Sequence, residues 1–316
     1  MTGKIVSIVN RKGGVAKTTL TLGLADTFCC ALDQPYKPEE KRVVVVDLDP
    51  QGSLTRALLH DRFAPENDDP LKKVLDAKLT LADFLEARFD NKKEDINKYL
   101  RHGVGPIGAD YTLLANEARA WNVERKGIKK PGPDKLQQSM ARVLLDLARQ
   151  YKYVLVDCPP GQTVLAEAAL KCCDLILCPV VPEYLSFWGL SSFDAYIREI
   201  LEEAGRDTDA RYVLMKTVAK PPKHNPQTRI IEKMINVISF EQRVTLELDP
   251  SRPPSADAAL ALPLDSHIPV RLNGAPKLNQ RWNWEKMYKQ RTRESLGLIA
   301  LGVQNLLSKQ EQNDGR

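Results

Sequence analysis

The chain has 316 residues, 43% of them hydrophobic, and its 46 basic and 41 acidic residues give a formal net charge of +5. A chain of this length and apolar content can bury a large core, and we expect one main domain over residues 1–316. The basic excess is compatible with an acidic polymer as partner, but it is far from the composition of a dedicated basic tail. The net charge alone therefore does not indicate a function.

Targeting and redox features predict a cytoplasmic protein. No stretch approaches the roughly 18 apolar residues of a membrane span, and the amino terminus lacks the layout of a signal peptide. The six cysteines lie mostly in apolar stretches and show no metal-binding spacing. We therefore expect reduced, buried thiols and no membrane association.

Five short apolar runs, separated by helical stretches, predict the sheet. In chain order they occupy residues 4–9, 42–49, 153–160, 175–181 and 212–218. Near-continuous runs of Val, Ile and Leu are typical of parallel strands that are covered on both faces. We therefore predict an α/β fold in which a doubly wound, mainly parallel sheet has helices on both faces.

Periodicity and composition assign the remaining segments. Residues 56–150 contain apolar residues at helical spacing and are predicted to form a peripheral helical region. The Pro-rich stretch 249–269 is either an insertion or a loop leading into a last strand at 258–264. Residues 284–310 have an apolar stripe at helical spacing and are predicted to form a C-terminal helix that packs on the core.

The sequence VNRKGGVAKTTL at 9–20 follows the first predicted strand and opens a helix. Such a loop directs backbone N–H groups and a helix N-terminus at one point, where a polyphosphate is stabilised. The usual pattern G-x-x-x-x-G-K-[ST] nevertheless fails, because its two glycines fall on Arg11 and Ala16. Lys17 can reach the terminal phosphates, and the Thr18 hydroxyl suits Mg²⁺. The predicted nucleotide-binding residues of the loop are Lys12, Gly13, Gly14, Val15, Ala16, Lys17, Thr18 and Thr19.

Three aspartates follow two other predicted strands. Asp47 and Asp49 are two residues apart, so their side chains leave the second strand on the same face, at the carboxyl end where ligands bind in this fold. Asp157 ends another apolar run, where a Mg²⁺-associated carboxylate is expected. A single aspartate after a strand is often a turn or helix cap, but three of them together with the loop favour a nucleotide site.

Four motifs carry a resemblance to a known family. They are KGGVAKTT at 12–19, DLDPQGSLT at 47–55, VDCPPG at 156–161 and CPVVPEYLSFWGL at 178–190. In order and spacing they resemble the ParA/MinD family of deviant Walker A ATPases, and most closely ParA-type partition ATPases without an N-terminal helix-turn-helix region. The resemblance implies a P-loop NTPase fold.

The resemblance also implies a role for each matching residue. Lys12 matches the signature lysine, which reaches the phosphates bound by the other subunit of an ATP-sandwich homodimer. Asp49 matches the aspartate that orients the attacking water, Asp47 the one that supports the Mg²⁺ region, and Asp157 the Walker B carboxylate. The implied residues are thus Lys12, Lys17 and Asp49 for catalysis, Thr18, Asp47 and Asp157 for the metal, and Pro182 and Glu183 near the base.

Two positions depart from the family pattern. Ala16 replaces the glycine that most members carry, and because it precedes the helix we expect a negative φ there and intact nucleotide binding. Arg11 stands where many members have Gln. It adds a cation beside Lys12 that either tightens dimer or phosphate contacts or points to solvent.

The implied activity is weak, partner-stimulated hydrolysis of ATP with Mg²⁺. ATP is favoured over GTP because MKTVAK at 215–220 lacks the aspartate of a guanine-reading element. ParA-type ATP dimers bind double-stranded DNA nonspecifically and drive partition of plasmid, chromosome or protein cargo with a ParB-like or cargo adaptor protein. The resemblance therefore implies a cytoplasmic protein that is nucleoid-associated when ATP-bound.

A basic segment near the end of the chain is the predicted DNA surface. Its last four cations recur at helical spacing, although any solvated helix face would look similar. A homodimer would present these charges twice. The predicted DNA-binding residues are Lys277, Arg281, Lys286, Lys289, Arg291 and Arg293.

Other functions are compatible with parts of the sequence. A MinD-like membrane-associated positioning ATPase shares the loop, but no terminal amphipathic anchor is evident. A nitrogenase-reductase-like electron donor would need two well-placed cysteines around an iron–sulfur cluster. A P-loop kinase or ligase acting on a small substrate remains open, whereas a scaffold that only binds nucleotide does not account for Lys17, Thr18, Asp49 and Asp157.

Overall fold

An eight-stranded sheet organises the computed structural model, which describes residues 3–30, 41–59, 74–89, 94–104, 110–114, 133–180, 184–206, 208–216, 264–265, 296–297 and 299–308. The strands are β1 (Lys4–Ile8), β2 (Val43–Asp47), β3 (Leu100–Val104), β4 (Asp110–Leu114), β5 (Tyr153–Asp157), β6 (Leu175–Val180), β7 (Asp209–Lys216) and β8 (Leu264–Asp265). The helices are α1 (Lys17–Cys30), α2 (Ser53–Leu59), α3 (Leu81–Phe89), α4 (Pro133–Ala148), α5 (Val164–Cys172) and α6 (Tyr184–Glu203), with a 3-10 turn at Ile96–Lys98.

The sheet is parallel at every pair of neighbouring strands except one. Its order is β3-β4-β2-β5-β1-β6-β7-β8, and only the pairing of β3 with β4 is antiparallel. The five strands predicted from apolar runs are β1, β2, β5, β6 and β7, and all five pair in parallel. The predicted doubly wound α/β fold is confirmed.

The region 56–150, predicted to be peripheral and helical, also contains two strands. The region contains α2, α3 and α4, but it also contributes β3 and β4 at one edge of the sheet. These strands read LRHGV and DYTLL and lack the long Val/Ile runs of the central strands. β3 is the edge strand, which needs fewer apolar residues than a central one, whereas β4 lies between β3 and β2. The hydrophobic pattern therefore did not reveal either strand.

Both faces of the sheet bury apolar side chains. Because successive residues of a strand point to opposite faces, Val44 lies in one core cluster and Val45 in the other. The first cluster includes residues of α3, α4, α5 and α6. The second contains residues of α1 and of the helical segment 299–308. The strands therefore carry continuous apolar sequences, since each side chain is covered whichever way it points.

The predicted C-terminal helix over 284–310 is helical where it is described, at 296–297 and 299–308. Its residues Leu296, Ile299 and Val303 are buried against α1 and the sheet, as the apolar stripe predicts. Of the segment 249–269, β8 is described and the rest lies outside the described residues. None of the helices in the described part of the chain is long and apolar enough to cross a membrane.

The backbone at Ala16 differs from the sequence-based expectation. Its φ is +68°, in the left-handed region, whereas a negative φ was expected. The loop turns here into α1, and Gly14 two residues earlier is also left-handed at +72°. A left-handed conformation costs a residue with a Cβ about 1–2 kcal/mol. The loop therefore keeps a backbone conformation that favours glycine, and the alanine at position 16 lowers the stability of the fold by about this amount.

The fold brings the ends of three strands together at one edge. Ile8 and Asp47 each lie in register with Asp157, from opposite sides of β5. The chain leaves β1 into α1 on one face of the sheet and leaves β5 into α5 on the other. In open α/β sheets such a reversal opens a crevice at the carboxyl ends of the strands, where ligands bind.

Substituting Gly3 tests how closely β1 approaches the end of α4. A Cβ built at Gly3 would lie 1.7 Å from the carbonyl oxygen of Tyr151, and the backbone is held by a 2.6 Å hydrogen bond from the Gly3 N–H to the Ala148 carbonyl. We expect Gly3→Ala to lower the free energy of unfolding by about 3 kcal/mol or more, measured by chemical denaturation. Gly297→Ala is the matched control, because Gly297 is helical and open and should gain up to about 1 kcal/mol. Equal stability of both variants would contradict the close approach.

Substituting Ala16 tests the left-handed turn. Glycine adopts a positive φ without steric cost, so Ala16→Gly should raise the free energy of unfolding by about 1 kcal/mol in urea denaturation. The control is Ala141→Gly in α4, where the same change inside a helix should cost about 1 kcal/mol. A loss of stability in both variants would show that Ala16 is not left-handed.

Candidate nucleotide-binding site

The loop between β1 and α1 is held from both sides. The buried Asn10 amide donates to the Pro179 carbonyl at the end of β6 at 2.8 Å, and its Oδ1 accepts from the Lys12 N–H at 2.9 Å. On the other side, the Gly161 N–H donates to the Arg11 carbonyl at 3.2 Å. The side chain of Val15 is buried in the core and anchors the middle of the loop. The loop is therefore fixed by its neighbours, with Lys12, Gly13 and Gly14 exposed.

The Lys17 ammonium group lies inside the curve of this loop. Its Nζ donates to the carbonyls of Asn10 at 3.3 Å and Lys12 at 3.2 Å, and the residue is only 7% exposed. Burial lowers the Lys17 pKa, while the nearby Asp157, Cys158 and Asp49 act in the opposite direction. A cation held in a concave loop of backbone N–H groups is suited to phosphate oxygens.

The first turn of α1 meets the end of β5 through a short hydrogen bond. The Thr18 hydroxyl donates to Oδ2 of Asp157 at 2.6 Å. The Thr21 hydroxyl lies 3.5 Å from Oδ1 of the same carboxylate, but it is closer to the Lys17 carbonyl at 3.0 Å. Thr18 and Asp157 thus present hydroxyl and carboxylate oxygens at one point, and these are the ligands that Mg²⁺ prefers.

The Asp157 carboxyl group is only 1% exposed. Burial raises its pKa well above the ordinary value, and the neighbouring Asp47 raises it further, while the Thr18 hydroxyl and the Lys17 ammonium group oppose the shift. The negative charge of the Asp157 carboxylate is therefore unfavourable in this buried position beside Asp47. A divalent cation at the Thr18 and Asp157 oxygens would supply the missing positive charge, so these residues fit the predicted metal.

Asp47 is fully buried, and protein donors surround its carboxylate. Its Oδ1 accepts from the Asp49 N–H at 3.0 Å, and its Oδ2 accepts from the Thr55 N–H at 2.9 Å and hydroxyl at 2.7 Å. Burial raises the Asp47 pKa to about 6, although the hydrogen bonds from Thr55 and Asp49 lower it. The contacts show that Asp47 holds the segment after β2, and a role toward the metal stays a prediction.

Asp49 lies half-buried at the same edge. Its Oδ1 accepts from the Gln51 N–H at 2.9 Å and its carbonyl accepts from the Gly52 N–H at 2.9 Å. Both bonds close a tight turn directly after β2. The carboxylate of Asp49 is therefore carried on a short turn whose start is fixed by Asp47.

The structure thus brings together the loop and the three aspartates predicted from sequence. Thr19 lies half-buried in the first turn of α1. The remaining predicted residues lie outside the described residues and stay predictions. They are Pro182, Glu183, Lys277, Arg281, Lys286, Lys289, Arg291 and Arg293.

Three polar residues of the site were not identified from the sequence. Asn10 fixes the loop, Thr21 lies beside Asp157, and Thr55 binds Asp47. Each is a small polar residue in or next to a sequence motif whose other residues are predicted to form the nucleotide site. The position of Asn10 directly after a buried strand was the available signal, whereas the partner of Thr55 depends on how the chain turns after β2.

The five cysteines with described side chains are all buried, and none of these five forms a disulfide. Burial raises the pKa of the Cys172 thiol to about 12 and raises those of Cys158, Cys173 and Cys178 as well. These four thiols therefore stay protonated at neutral pH and pack as small apolar groups.

Curated relatives share this sequence at modest identity. The chain is 28% identical over 213 residues to the sporulation initiation inhibitor protein Soj of Bacillus subtilis, covering 67% of this chain and 72% of Soj. It is 26% identical over 305 residues to a ParA family protein of Mycoplasma pneumoniae, covering 95% of this chain and all of the relative.

Solved structures share the fold at lower identity. One is the cobyrinic acid a,c-diamide synthase of Mycobacterium smegmatis with an ATP analogue and magnesium, at 18% identity and a TM-score of 0.59, covering 99% of this chain and 97% of the synthase. Another is a plasmid partition protein of Borrelia burgdorferi bound to AMPPNP, at 15% identity and a TM-score of 0.58, covering 96% of this chain and all of that protein.

A family model described as AAA domain matches residues 3–209. The matched range runs from the start of β1 into β7, so it includes the loop and all three aspartates. Because the match spans well over half of the chain, the protein belongs to this AAA domain family, AAA_31, as a P-loop ATPase of the ParA/MinD type, and the resemblance of its four motifs is confirmed.

Proposed function

We propose that the protein is an ATP-dependent dimerising switch of the ParA type that hydrolyses ATP weakly, binds DNA nonspecifically as the ATP-bound homodimer, and drives partition or positioning of a cargo. The observation that carries the proposal is the convergence of Lys17, Thr18, Asp49 and Asp157 at one sheet edge, with Lys12 exposed on the same loop. Its curated relatives include a sporulation initiation inhibitor and a ParA family protein, which supports a partition or positioning role over a small-molecule kinase or ligase.

Each residue at this edge would have a separate role in phosphoryl transfer. Thr18 and Asp157 would hold Mg²⁺, and the Lys17 ammonium group would contact the terminal phosphates. Magnesium-bound ATP supplies a phosphoryl group that water can attack once its charge is neutralised. Asp49 is placed beside Lys17 closely enough to affect its pKa, and it would accept a hydrogen bond from the attacking water. Because the reaction needs positioning and charge more than covalent chemistry, no nucleophilic side chain is required.

The two lysines of the loop face different environments. Lys17 is buried inside the loop, whereas Lys12 is exposed at its outer turn. The Lys12 backbone is nevertheless fixed, because its N–H donates to Asn10 and its carbonyl accepts from Lys17. An exposed cation on a fixed backbone is suited to reach phosphates bound by a second copy of the chain. We therefore assign the trans role to Lys12, and hydrolysis follows dimerisation.

The Lys12→Ala variant tests the dimeric mechanism. It should bind ATP with nearly unchanged affinity, because Lys17, Thr18 and Asp157 remain, but its concentration-dependent ATPase rate should fall by about 100-fold or more, as for other cations supplied in trans. Fluorescent-nucleotide titration and steady-state ATPase assays at several protein concentrations measure the two effects. Arg11→Ala removes the same charge one residue earlier and should lose much less. An unchanged ATPase rate in Lys12→Ala would refute the trans role.

The DNA half of the proposal rests on the basic residues between 277 and 293. Binding to random duplex DNA should require ATP and weaken with salt, with a log–log slope that grows by about 0.9 for each phosphate contacted. Replacing Lys286, Lys289 and Arg293 together by Gln removes six cations from the homodimer and should reduce that slope by up to about 5 units, measured by fluorescence anisotropy.

A charge-matched control separates a DNA surface from a general effect of net charge. Replacing Lys98, Arg149 and Lys152 by Gln removes three exposed cations elsewhere and should leave the slope nearly unchanged. Equal losses in both triple variants would show that only net charge matters. DNA binding that does not depend on ATP would remove DNA from the switch cycle.

A further inference from the structure

The carboxylate of Asp47 links the end of β2 to the start of α2. It lies at the last position of β2, and both Asp47 and Thr55 are 0% exposed. One oxygen accepts from the Asp49 N–H, and the other accepts from the N–H and the hydroxyl of Thr55 in α2. The end of β2, the turn after it and the first turn of α2 are therefore tied at one buried group.

The Thr55 hydroxyl makes the shortest of the three bonds, at 2.7 Å. A hydrogen bond to a buried charged group is stronger than one between neutral groups, and a buried carboxylate that loses a donor is poorly satisfied. Without the hydroxyl, the carboxylate would be drawn toward its remaining donors or toward water. Its other oxygen accepts a hydrogen bond from the Asp49 N–H, so the backbone of Asp49 would move with the carboxylate.

The turn that bears Asp49 is closed by hydrogen bonds of its own and positioned by its bond to Asp47. Its own hydrogen bonds run from Gln51 and Gly52 to Asp49 itself and fix the shape of the turn. The bond to Asp47 fixes where that turn sits relative to β2. On the neighbouring strand, the Leu48 N–H donates to the Asp157 carbonyl at 2.9 Å, so the fixed position lies next to the residues assigned to the metal.

We propose that Thr55 is a positioning residue for hydrolysis, which holds the Asp47 carboxylate so that Asp49 stays aligned with the attacking water. This inference rests on the proposed function, because it needs Asp49 to act in hydrolysis. Thr55 touches neither nucleotide nor water in this role. The alternative is that Thr55 only stabilises the start of α2, in which case its loss would affect stability and nothing else.

Thr55→Val removes the hydroxyl and keeps the shape of the side chain. We expect kcat for ATP hydrolysis to fall by about 10- to 100-fold, the range for misplacing a reacting group by a fraction of an ångström to one ångström, while KM changes less than about twofold. The ATP-bound dimer should persist longer than in the wild type, as measured by size-exclusion chromatography with ATP. Thr55→Ser restores the hydroxyl and should recover most of kcat.

Thr80→Val is the matched control. Thr80 is also fully buried, and its hydroxyl donates to a carboxylate, that of Asp83, at 2.6 Å. This pair lies at the start of α3 and includes none of the residues assigned to the site. Thr80→Val should lose stability without losing kcat, so denaturation curves of both variants separate a folding defect from a positioning defect. Thr55→Ala provides the same test if Thr55→Val does not fold.

Asp49→Ala distinguishes failure of this inference from failure of the proposed function. If Asp49→Ala hydrolyses ATP normally, the proposed function is wrong. If Asp49→Ala traps the ATP dimer but Thr55→Val keeps a normal kcat, the positioning role is wrong. The positioning role of Thr55 is also wrong if Thr55→Ser fails to recover kcat. It is wrong as well if Thr80→Val and Thr55→Val are equally stable and lose the same share of kcat.

Discussion

Two buried carboxylates in register, Asp47 and Asp157, set the constraint on which the site depends. They lie side by side on β2 and β5, and burial raises the pKa of both. Placing two such groups together is unfavourable unless donors or cations satisfy them. The chain supplies Thr55 and the Asp49 N–H to one carboxylate and Thr18 to the other. The proposed Mg²⁺ would complete the compensation at Asp157.

The loop before α1 is organised around the same charges. Lys17 is buried beside Asp157 and bonded to the carbonyls of its own loop. That curvature requires left-handed backbone at Gly14 and Ala16, and strain of this kind is often retained where a backbone must cradle a ligand. Asn10 and Gly161 hold the loop from outside. A loop with one buried and one exposed lysine is the feature on which the proposed role of Lys12 in a homodimer rests.

The helix α1 joins this edge to the core. Its first turn carries Thr18, while Leu24 and Phe28 are fully buried farther along. The Phe28 ring stacks on Tyr153 with centroids 4.4 Å apart, and the Tyr153 hydroxyl accepts from Gln304 in the C-terminal helix at 3.1 Å. The helix α1, which carries Thr18, and the C-terminal helix, which follows the basic segment in sequence, therefore pack in the same core cluster.

The sequence by itself determined the central strands, because residues buried on both faces must be apolar at every position, and that requirement is visible in β2 and β5. It also determined the chemistry of the loop and the three aspartates, since those residue types follow strands that end at one edge. Tertiary structure alone decided the strands β3 and β4, the left-handed φ of Ala16 and the partners of Asn10 and Thr55. These features depend on contacts between segments far apart in the chain or on a local turn that a Cβ disfavours, and neither leaves a periodic pattern in the sequence.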